Sequence, residues 1–464
     1  MRIGIFHYHL KKAGVRDEIQ NIANALDEEF GRELKVQIFA AIKKYGKDSV
    51  KIKLNKAKIE HFDLPELAYS KIKSKSKESF LKTAEKICGA ILSKINLKGC
   101  TEAEPYVLYL NNVSLGKNPK VTAAFALLAK KTVKMKLPLM IINHVHDFAD
   151  DKPAMMRKLT YCTSQKDEEF SQKIMYPKTR NMIYAVLSER DLKRLSKKGI
   201  PKKDIFVFPN AVVERKTNLT KRQLNKKITN FAKRNCFSYD EKKKTVLYPV
   251  KPIKRKNIYE ALLLLTLINH IHENKYQLII TLKANSKADR FYSERIENFV
   301  KKEKMPVSMY VGSSIHCSIA NFYAVSDMAI TTSTKEGFGF TFLEPWIYNK
   351  PLFGRKIPEL CKDFEKNSVS LYTLYKKLVI GKKKTDFPHL ELKKQEAVIK
   401  KALNSKEYCK EILKNNKMFR LFGNKEKLSQ VVKKNKKAII ENYSANKKVK
   451  SFLNIVEKTK KKAF

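Results

Sequence analysis

Thr331-Thr332-Ser333-Thr334-Lys335-Glu336-Gly337-Phe338-Gly339-Phe340-Thr341-Phe342-Leu343-Glu344-Pro345 is the stretch on which the reading of the fold turns. An apolar strand pattern over Asp327–Thr332 ends in small hydroxyl residues, a Gly-x-Gly turn follows, and a helical pattern runs over Phe340–Tyr348. Strand, glycine turn and helix in that order belong to parallel α/β architecture. The glycines let the backbone approach a ligand closely, and the first amides of a helix favour an anion. Glu336 falls in the loop and Glu344 about one turn into the helix. Two carboxylates so spaced can grip different parts of one long, hydroxyl-rich ligand.

The same alternation extends in both directions. Ahead of this stretch come strand Thr245–Val250, helix Asn257–Glu273 with Ile258, Leu262, Leu265 and Ile268 at helical spacing, strand Gln277–Leu282, helix Ala288–Lys302 and strand Val307–Gly312. The first half offers strands at Arg2–Leu10, Tyr106–Asn111, Leu139–His146, Met182–Leu187 and Asp204–Pro209, with helices clearest at Lys77–Ser93 and Val121–Met135. A lysine-rich stretch over about 43–77 reads as an insertion with one or two weak strands. The polar segment 213–243 reads as a connection, and residues from about 390 onward are helical, without a strand pattern. The expected fold class is therefore α/β, with two Rossmann-like, doubly wound parallel-sheet domains facing across a cleft, followed by C-terminal helices. Domain boundaries are expected at 1–212, 244–430 and a helical tail over 431–464. Ligands of such sheets bind at the carboxyl ends of the strands, so the cleft is the default site.

Composition narrows the function classes. Of 464 residues, 43% are hydrophobic and 10% aromatic, enough to build sizeable cores and to exclude a disordered chain. No apolar run approaches the roughly 20 residues that cross a bilayer, and the N-terminus has no cleavable apolar leader, so a cytoplasmic protein is expected. Seven scattered cysteines, never in Cys-x-x-Cys spacing, argue against a disulfide framework and against a cysteine zinc site. The net charge is +51, and lysine supplies 82 of the 97 basic side chains, which divide 49 and 48 between residues 1–240 and 241–464. A nucleic-acid reader concentrates its basic residues and favours arginine, so no nucleic-acid partner is expected. An even lysine surplus reads as composition on solvated faces. The electrostatic roles it could serve are peripheral contact with an anionic membrane, on the inner face, or attraction of a phosphorylated substrate.

Three further constellations carry chemistry. Tyr248-Pro249-Val250-Lys251-Pro252-Ile253-Lys254-Arg255-Lys256-Asn257 places a cationic pair, Lys251 and Lys256, between a strand end and a helix start, where it can clamp a diphosphate and stabilise charge on a departing nucleotide. His7-Tyr8-His9-Leu10-Lys11-Lys12-Ala13-Gly14-Val15-Arg16 joins the first strand to the first helix. Asn143-His144-Val145-His146-Asp147-Phe148 closes another strand, and alternation puts His144 and His146 on one face. No third His, Cys or acid stands nearby at ligand spacing, and no Asp-x-Asp occurs in the chain, so neither a metal site nor metal-dependent phosphate binding is expected. Phe206-Val207-Phe208-Pro209-Asn210-Ala211-Val212 marks a domain boundary.

Glu336 and Glu344, with seven residues between, resemble the Glu-x7-Glu signature of the retaining nucleotide-sugar glycosyltransferases of family 4, which have the GT-B fold. The resemblance implies that Glu336, Gly337, Phe338 and Gly339 face the donor sugar and that Glu344 accepts hydrogen bonds from the ribose hydroxyls. Lys251 and Lys256 match the family's Arg and Lys, although Lys251 loses the bidentate reach of arginine unless Arg255 substitutes. Gly14 matches the glycine-rich loop, with Ala13 where a second glycine is common. His146 matches a histidine near the reacting centre, oriented by Asp147, and Pro209-Asn210-Ala211-Val212 matches the family's Pro-Asn-x-Val. The expected catalytic set is His146, Glu336 and Lys256. The implied reaction is retaining, metal-independent hexosyl transfer from a nucleotide-diphosphate sugar to a hydroxyl acceptor (sugar, lipid or polysaccharide), without a cofactor. The family also implies that the final helices cross back to the first domain. Two other readings fit the same residues: another GT-B enzyme, a nucleotide-sugar epimerase or phosphorylase, and a non-enzymatic basic protein that binds membrane or nucleic acid through diffuse charge.

Overall fold

A computed structural model describes residues 1–11, 14–70, 74–163, 165–284, 286–416, 419 and 425–464. The chain forms two compact units, Met1–Ala211 together with Tyr443–Phe464, and Val212–Asn442.

The first unit is built on seven parallel strands: β1 (Arg2–Phe6), β2 (Lys35–Ala40), β3 (Lys58–Asp63), β4 (Tyr106–Asn111), β5 (Leu139–Val145), β6 (Met182–Val186) and β7 (Ile205–Val207), in the order β3-β2-β1-β4-β5-β6-β7. Central strands such as β5, Leu-Met-Ile-Ile-Asn-His-Val, are buried at every position. A parallel strand covered on both faces needs a continuous apolar run rather than alternation. The flanking helices start at capped ends: Ser76 Oγ accepts from Ser79 N at 3.1 Å ahead of helix Lys77–Leu92, and Asn118 Oδ1 accepts from Lys120 N at 3.2 Å ahead of Pro119–Lys134. The last helix, Ala445–Ala463, contributes Val449, Phe452 and Ile455 to the same core as Ile19, Ile22 and Leu26 of helix Gly14–Phe30. Lys448 on that helix is buried beside Glu18, with which it forms an ion pair, and its Nζ donates to Pro209 O at 2.8 Å.

The second unit holds six parallel strands: β8 (Lys244–Tyr248), β9 (Tyr276–Ile280), β10 (Val307–Met309), β11 (Met328–Thr331), β12 (Leu352–Arg355) and β13 (Leu374–Tyr375), ordered β10-β9-β8-β11-β12-β13. Counted from the unit's first strand this is 3-2-1-4-5-6, the Rossmann order. A small antiparallel hairpin follows, β14 (Val379–Ile380) with β15 (Thr385–Asp386).

Several expectations are corrected. Residues 213–243 are not a bare connection: helix Lys221–Arg234 lies there, opened by a capping box in which Thr220 and Gln223 bond each other's backbone N–H, and it buries Leu224, Ile228 and Phe231 within the second unit. Those three positions form a thin apolar stripe that the surrounding lysines conceal in a composition reading. That unit runs on to Asn442 rather than stopping at 430. The 43–77 insertion supplies β3, a full member of the sheet whose Lys58 stays exposed because it is an edge strand. The strand expected over Val307–Gly312 ends at Met309, and a short helix, Val311–Ser314, takes over. The helix expected over Phe340–Tyr348 is a 3-10 turn, Phe340–Phe342, followed by one turn of α-helix, Glu344–Ile347. Pro345 has no N–H to continue the ladder and its ring crowds the carbonyl four residues back, so Glu344 begins that helix instead of lying inside it. Among the described residues no helix is long and apolar enough to cross a membrane.

Candidate active site

In the second unit the two loops singled out by sequence are neighbours, because they follow adjacent strands β8 and β11 at their carboxyl ends. They are stitched together by hydrogen bonds. Tyr248 OH donates to Lys256 O at 2.8 Å and lies 3.0 Å from Ser333 Oγ. Thr332 Oγ1 bonds the carbonyls of Lys256 and Asn257, both at 3.0 Å, and Thr334 N donates to Arg255 O at 2.9 Å. Asn257 turns the backbone with φ 52° and ψ 53°, a left-handed conformation that asparagine tolerates.

On this frame Glu336 lies 7% exposed, ion-paired with Lys256 and with Arg255, whose Nη1 donates to Glu336 Oε2 at 2.7 Å. Burial alone would raise the carboxyl, but Lys256 and Arg255 outweigh it and hold Glu336 below its ordinary value. Burial pulls the Lys256 ammonium down, with Glu336 opposing. One carboxylate against two cations leaves the cluster net positive. Lys251 is half-buried just beyond β8, its carbonyl accepting from Ile253 N at 2.9 Å. Arg255, weighed from sequence only as a substitute for Lys251, joins the cluster through Glu336.

The Gly-Phe-Gly turn presents its backbone, not its ring. Phe338 is buried, edge-on to Phe340 and Phe364 at 4.9 and 6.0 Å, so its side chain belongs to the core and not to a sugar-facing surface. Gly339 sits at φ +88°, where a Cβ would also meet the Phe342 and Leu360 side chains at 2.8 and 2.9 Å. Glu344 is half-buried and has no hydrogen-bond or ion-pair partner among the described residues. Burial raises its carboxyl to about 7, with Arg215 only partly opposing. Arg215 and the stacked rings of Tyr323 and Tyr348, 4.5 Å apart, surround it, and nothing in their sequence context marked them.

That shift makes a stability prediction. The folded-state value of Glu344 lies above the unfolded one of 4.5, so its contribution is fully present below pH 4.5 and is lost as pH rises through about 7. Glu344→Gln is therefore expected to stabilise the chain at pH 8 by about 1–2 kcal/mol, discounted for partial exposure, and to change little at pH 5. Melting curves at the two pH values test it; equal shifts at both would contradict the buried carboxylate.

In the first unit, His146 follows β5 and is 8% exposed. Its Nε2 lies 3.1 Å from Asn111 Oδ1, its ring 3.8 Å from that of His144, and its N–H donates to Asn112 Oδ1 at 2.9 Å. Asn111 and Asn112, at the end of neighbouring β4, are thus the orienting residues. Asp147, expected in that role, pairs with Lys152 at 3.2 Å and accepts from Asn112 Nδ2 at 3.4 Å. Parallel pairing sets Asn111 beside His144, a register that no local pattern reveals. Burial, Lys448 and His7 drive the His146 imidazole well below its ordinary range, and His7 is itself pulled down to about 4 by burial. Both are neutral at pH 7. Gly14 opens its helix, and a Cβ there would meet nothing within 4 Å, so the fold itself does not demand a glycine. Ala13 lies outside the described residues. No three His, Cys, Asp or Glu side chains converge as metal ligands among the described residues.

Two Rossmann-like sheets in one chain, the second carrying a cation–carboxylate cluster at its strand ends, define the GT-B class of fold. Solved structures agree over nearly the whole length: sucrose-phosphate synthase from Thermosynechococcus elongatus at TM-score 0.55 and 12% identity, covering 98% of each chain, and Anabaena Alr3699/HepE in complex with UDP at 0.54 and 12%, covering 98% of this chain and 100% of that one. In sequence, the chain is 31% identical over 363 residues to mannosylglucosyl-3-phosphoglycerate synthase of Petrotoga mobilis (strain DSM 10674 / SJ95), a match over 78% of this chain. The chain spans 66% of that relative's length. No protein-family model matches.

Proposed function

We propose that the chain is a glycosyltransferase that moves a hexose, with retention and without a metal, from a nucleotide-diphosphate sugar to the hydroxyl of a phosphoglycerate-type acceptor. The observation that carries this reading is the net-positive cluster of Lys256, Arg255 and Glu336 at the carboxyl ends of β8 and β11, with the half-buried Glu344 further along the same segment. The cluster supplies cations for a diphosphate, and Glu344, with no partner among the described residues, supplies a carboxylate for ribose hydroxyls. The acceptor class is taken from the name of the Petrotoga relative, and the donor class is supported by the UDP complex of the Anabaena protein.

In this reading the bond from the sugar's anomeric carbon to the diphosphate oxygen breaks and one to the acceptor oxygen forms on the same face. The acceptor proton passes to the departing phosphate oxygen. Lys256, Arg255 and Lys251 stabilise the charge that develops there. His146 lines the acceptor side as a neutral imidazole. Its depressed basicity suits it poorly to hold the proton, which is why the phosphate oxygen takes that role.

The direct experiment is the melting temperature with UDP, GDP, ADP and their sugars, in EDTA, for wild type and Glu344→Ala. A ligand at 100 times its dissociation constant adds about 2.7 kcal/mol, a shift of several degrees. One nucleotide should shift wild type and shift the variant less; no shift with any of them would overturn the donor site. His146→Ala is expected to retain the donor-induced shift while transfer falls by about 100-fold, the scale of a misplaced reactant. Wild-type turnover in that variant would make the residue structural.

A further inference from the structure

A cavity of about 370 Å³ opens on the first unit, lined by Tyr69, Lys117, Lys120, Met155, Arg157 and Lys158. Its volume falls at the small end of the roughly 300–1,000 Å³ typical of small-molecule pockets. Four cations and no carboxylate line it. In a chain carrying +51 that composition alone would mean little, but the surroundings are specific. Some lysines of this unit pair with acids, as in Lys77–Asp167 and Lys11–Asp48, and many others are solvated on its surface, whereas Lys117 is half-buried. Lys117, Lys120 and Arg157 have no carboxylate at ion-pair distance among the described residues, and the nearby Asp147 is engaged with Lys152 at 3.2 Å.

The cavity is also built rather than incidental. Asn118 Nδ2 donates to Glu66 O and Ala68 O at 3.0 and 2.8 Å, pinning the segment that carries Tyr69 against the start of helix Pro119–Lys134, where Lys120 lies. Lys158 donates to Lys117 O, and the Lys117 ammonium sits 5.0 Å from the centre of the Tyr69 ring. Burial and the neighbouring Lys152 both disfavour charge on Lys117, a repulsion that an anion would relieve. Tyr69 OH in turn lies 3.0 Å from His9 Nε2, and the His9 ring lies 5.0 Å from that of His7, which acts electrostatically on His146. The cavity and His146 therefore share the carboxyl end of this sheet.

We propose that this cavity is the anion subsite of the acceptor, binding the phosphate and carboxylate of a small, soluble phosphorylated acid. The inference deepens the transfer reading and rests on it. Arg157 and Lys117 carry the charge-assisted contacts, Lys120 adds its charge beside the helix start, and Tyr69 and Met155 give the carbon skeleton an apolar wall.

Titration calorimetry at fixed salt tests it, with 3-phosphoglycerate, glycerate and phosphatidylglycerol vesicles as probes. Wild type should bind 3-phosphoglycerate, and glycerate about tenfold more weakly. Lys117→Met, which keeps the stem against Tyr69, and Arg157→Ala, on the surface, should each weaken 3-phosphoglycerate binding by about tenfold or more. Lys130→Ala, an exposed charge on the same helix as Lys120, should change nothing. Equal weakening in Lys130→Ala would reduce the effect to diffuse charge and overturn the subsite. Absence of 3-phosphoglycerate binding, or binding to vesicles alone, would overturn it too. The nucleotide-induced melting shift, read on the same preparations, separates the two failures: losing it alone removes the donor reading, while losing phosphoglycerate binding alone removes the subsite.

Discussion

Lys256→Ala is expected to lower transfer by about two to three orders of magnitude while leaving the melting temperature within a few degrees of wild type. The rate effect follows from removing a positioned cation from the place where leaving-group charge develops, a loss of about 3–4 kcal/mol in sites of this kind. Stability is spared for reasons visible in the contacts. Glu336 keeps Arg255 at 2.7 Å, so the buried carboxylate is not orphaned. The Lys256 carbonyl still accepts from Tyr248 OH and Thr332 Oγ1, so the loop keeps its shape. A buried amine that burial itself disfavours is a poor stabiliser, which is further reason to expect little thermal cost. Turnover with the donor found by thermal shift, measured beside Lys256→Arg, is the test. Wild-type kinetics in Lys256→Ala would move the clamp to Arg255 and Lys251.

Arg355→Leu should act the other way, on stability first. Arg355 ends β12 with a side chain only 6% exposed, and all five of its N–H groups are used: Nε and Nη2 on Glu260 at 2.8 and 2.7 Å, Nη1 and Nη2 on Asp386 at 2.9 and 2.7 Å, and Nη1 on Lys376 O at 3.1 Å. Tyr375 OH adds a bond to Glu260 at 2.7 Å. Burial raises the Glu260 carboxyl even with the guanidinium beside it. Leucine would leave two buried carboxylates without their cation, at a cost of about 3–5 kcal/mol. Glu260 also accepts from Asn257 Nδ2 at 2.7 Å, the residue that turns the backbone straight after Lys256, so nucleotide binding should weaken along with stability. Urea unfolding and the nucleotide-induced shift read the two effects. A midpoint like that of wild type would mean that water or a rearranged side chain satisfies both acids.

Much of this architecture was legible in the chain itself. Apolar runs such as Leu139–Ile142 announce buried parallel strands, and Thr331–Pro345 announces a ligand-facing turn, because backbone chemistry at that scale is local. Less local elements were missed. β12 and β13 have four and two residues, too few for a pattern; β3 was legible only as a weak strand of the insertion, because an edge strand needs only part of its surface covered.

The sequence by itself determined the alternation of strand and helix, the two-sheet class of fold, and the residue types at the strand ends. Tertiary structure alone decided their electrical state. It set Lys256 and Arg255 on Glu336 across about 80 residues of chain, left Glu344 half-buried with no partner among the described residues, and set Asn111 and Asn112 beside His146. Charge and basicity depend on what stands within a few ångströms and on how much water is excluded. Chain folding sets those quantities between residues far apart in sequence, so no reading of neighbours along the chain could supply them.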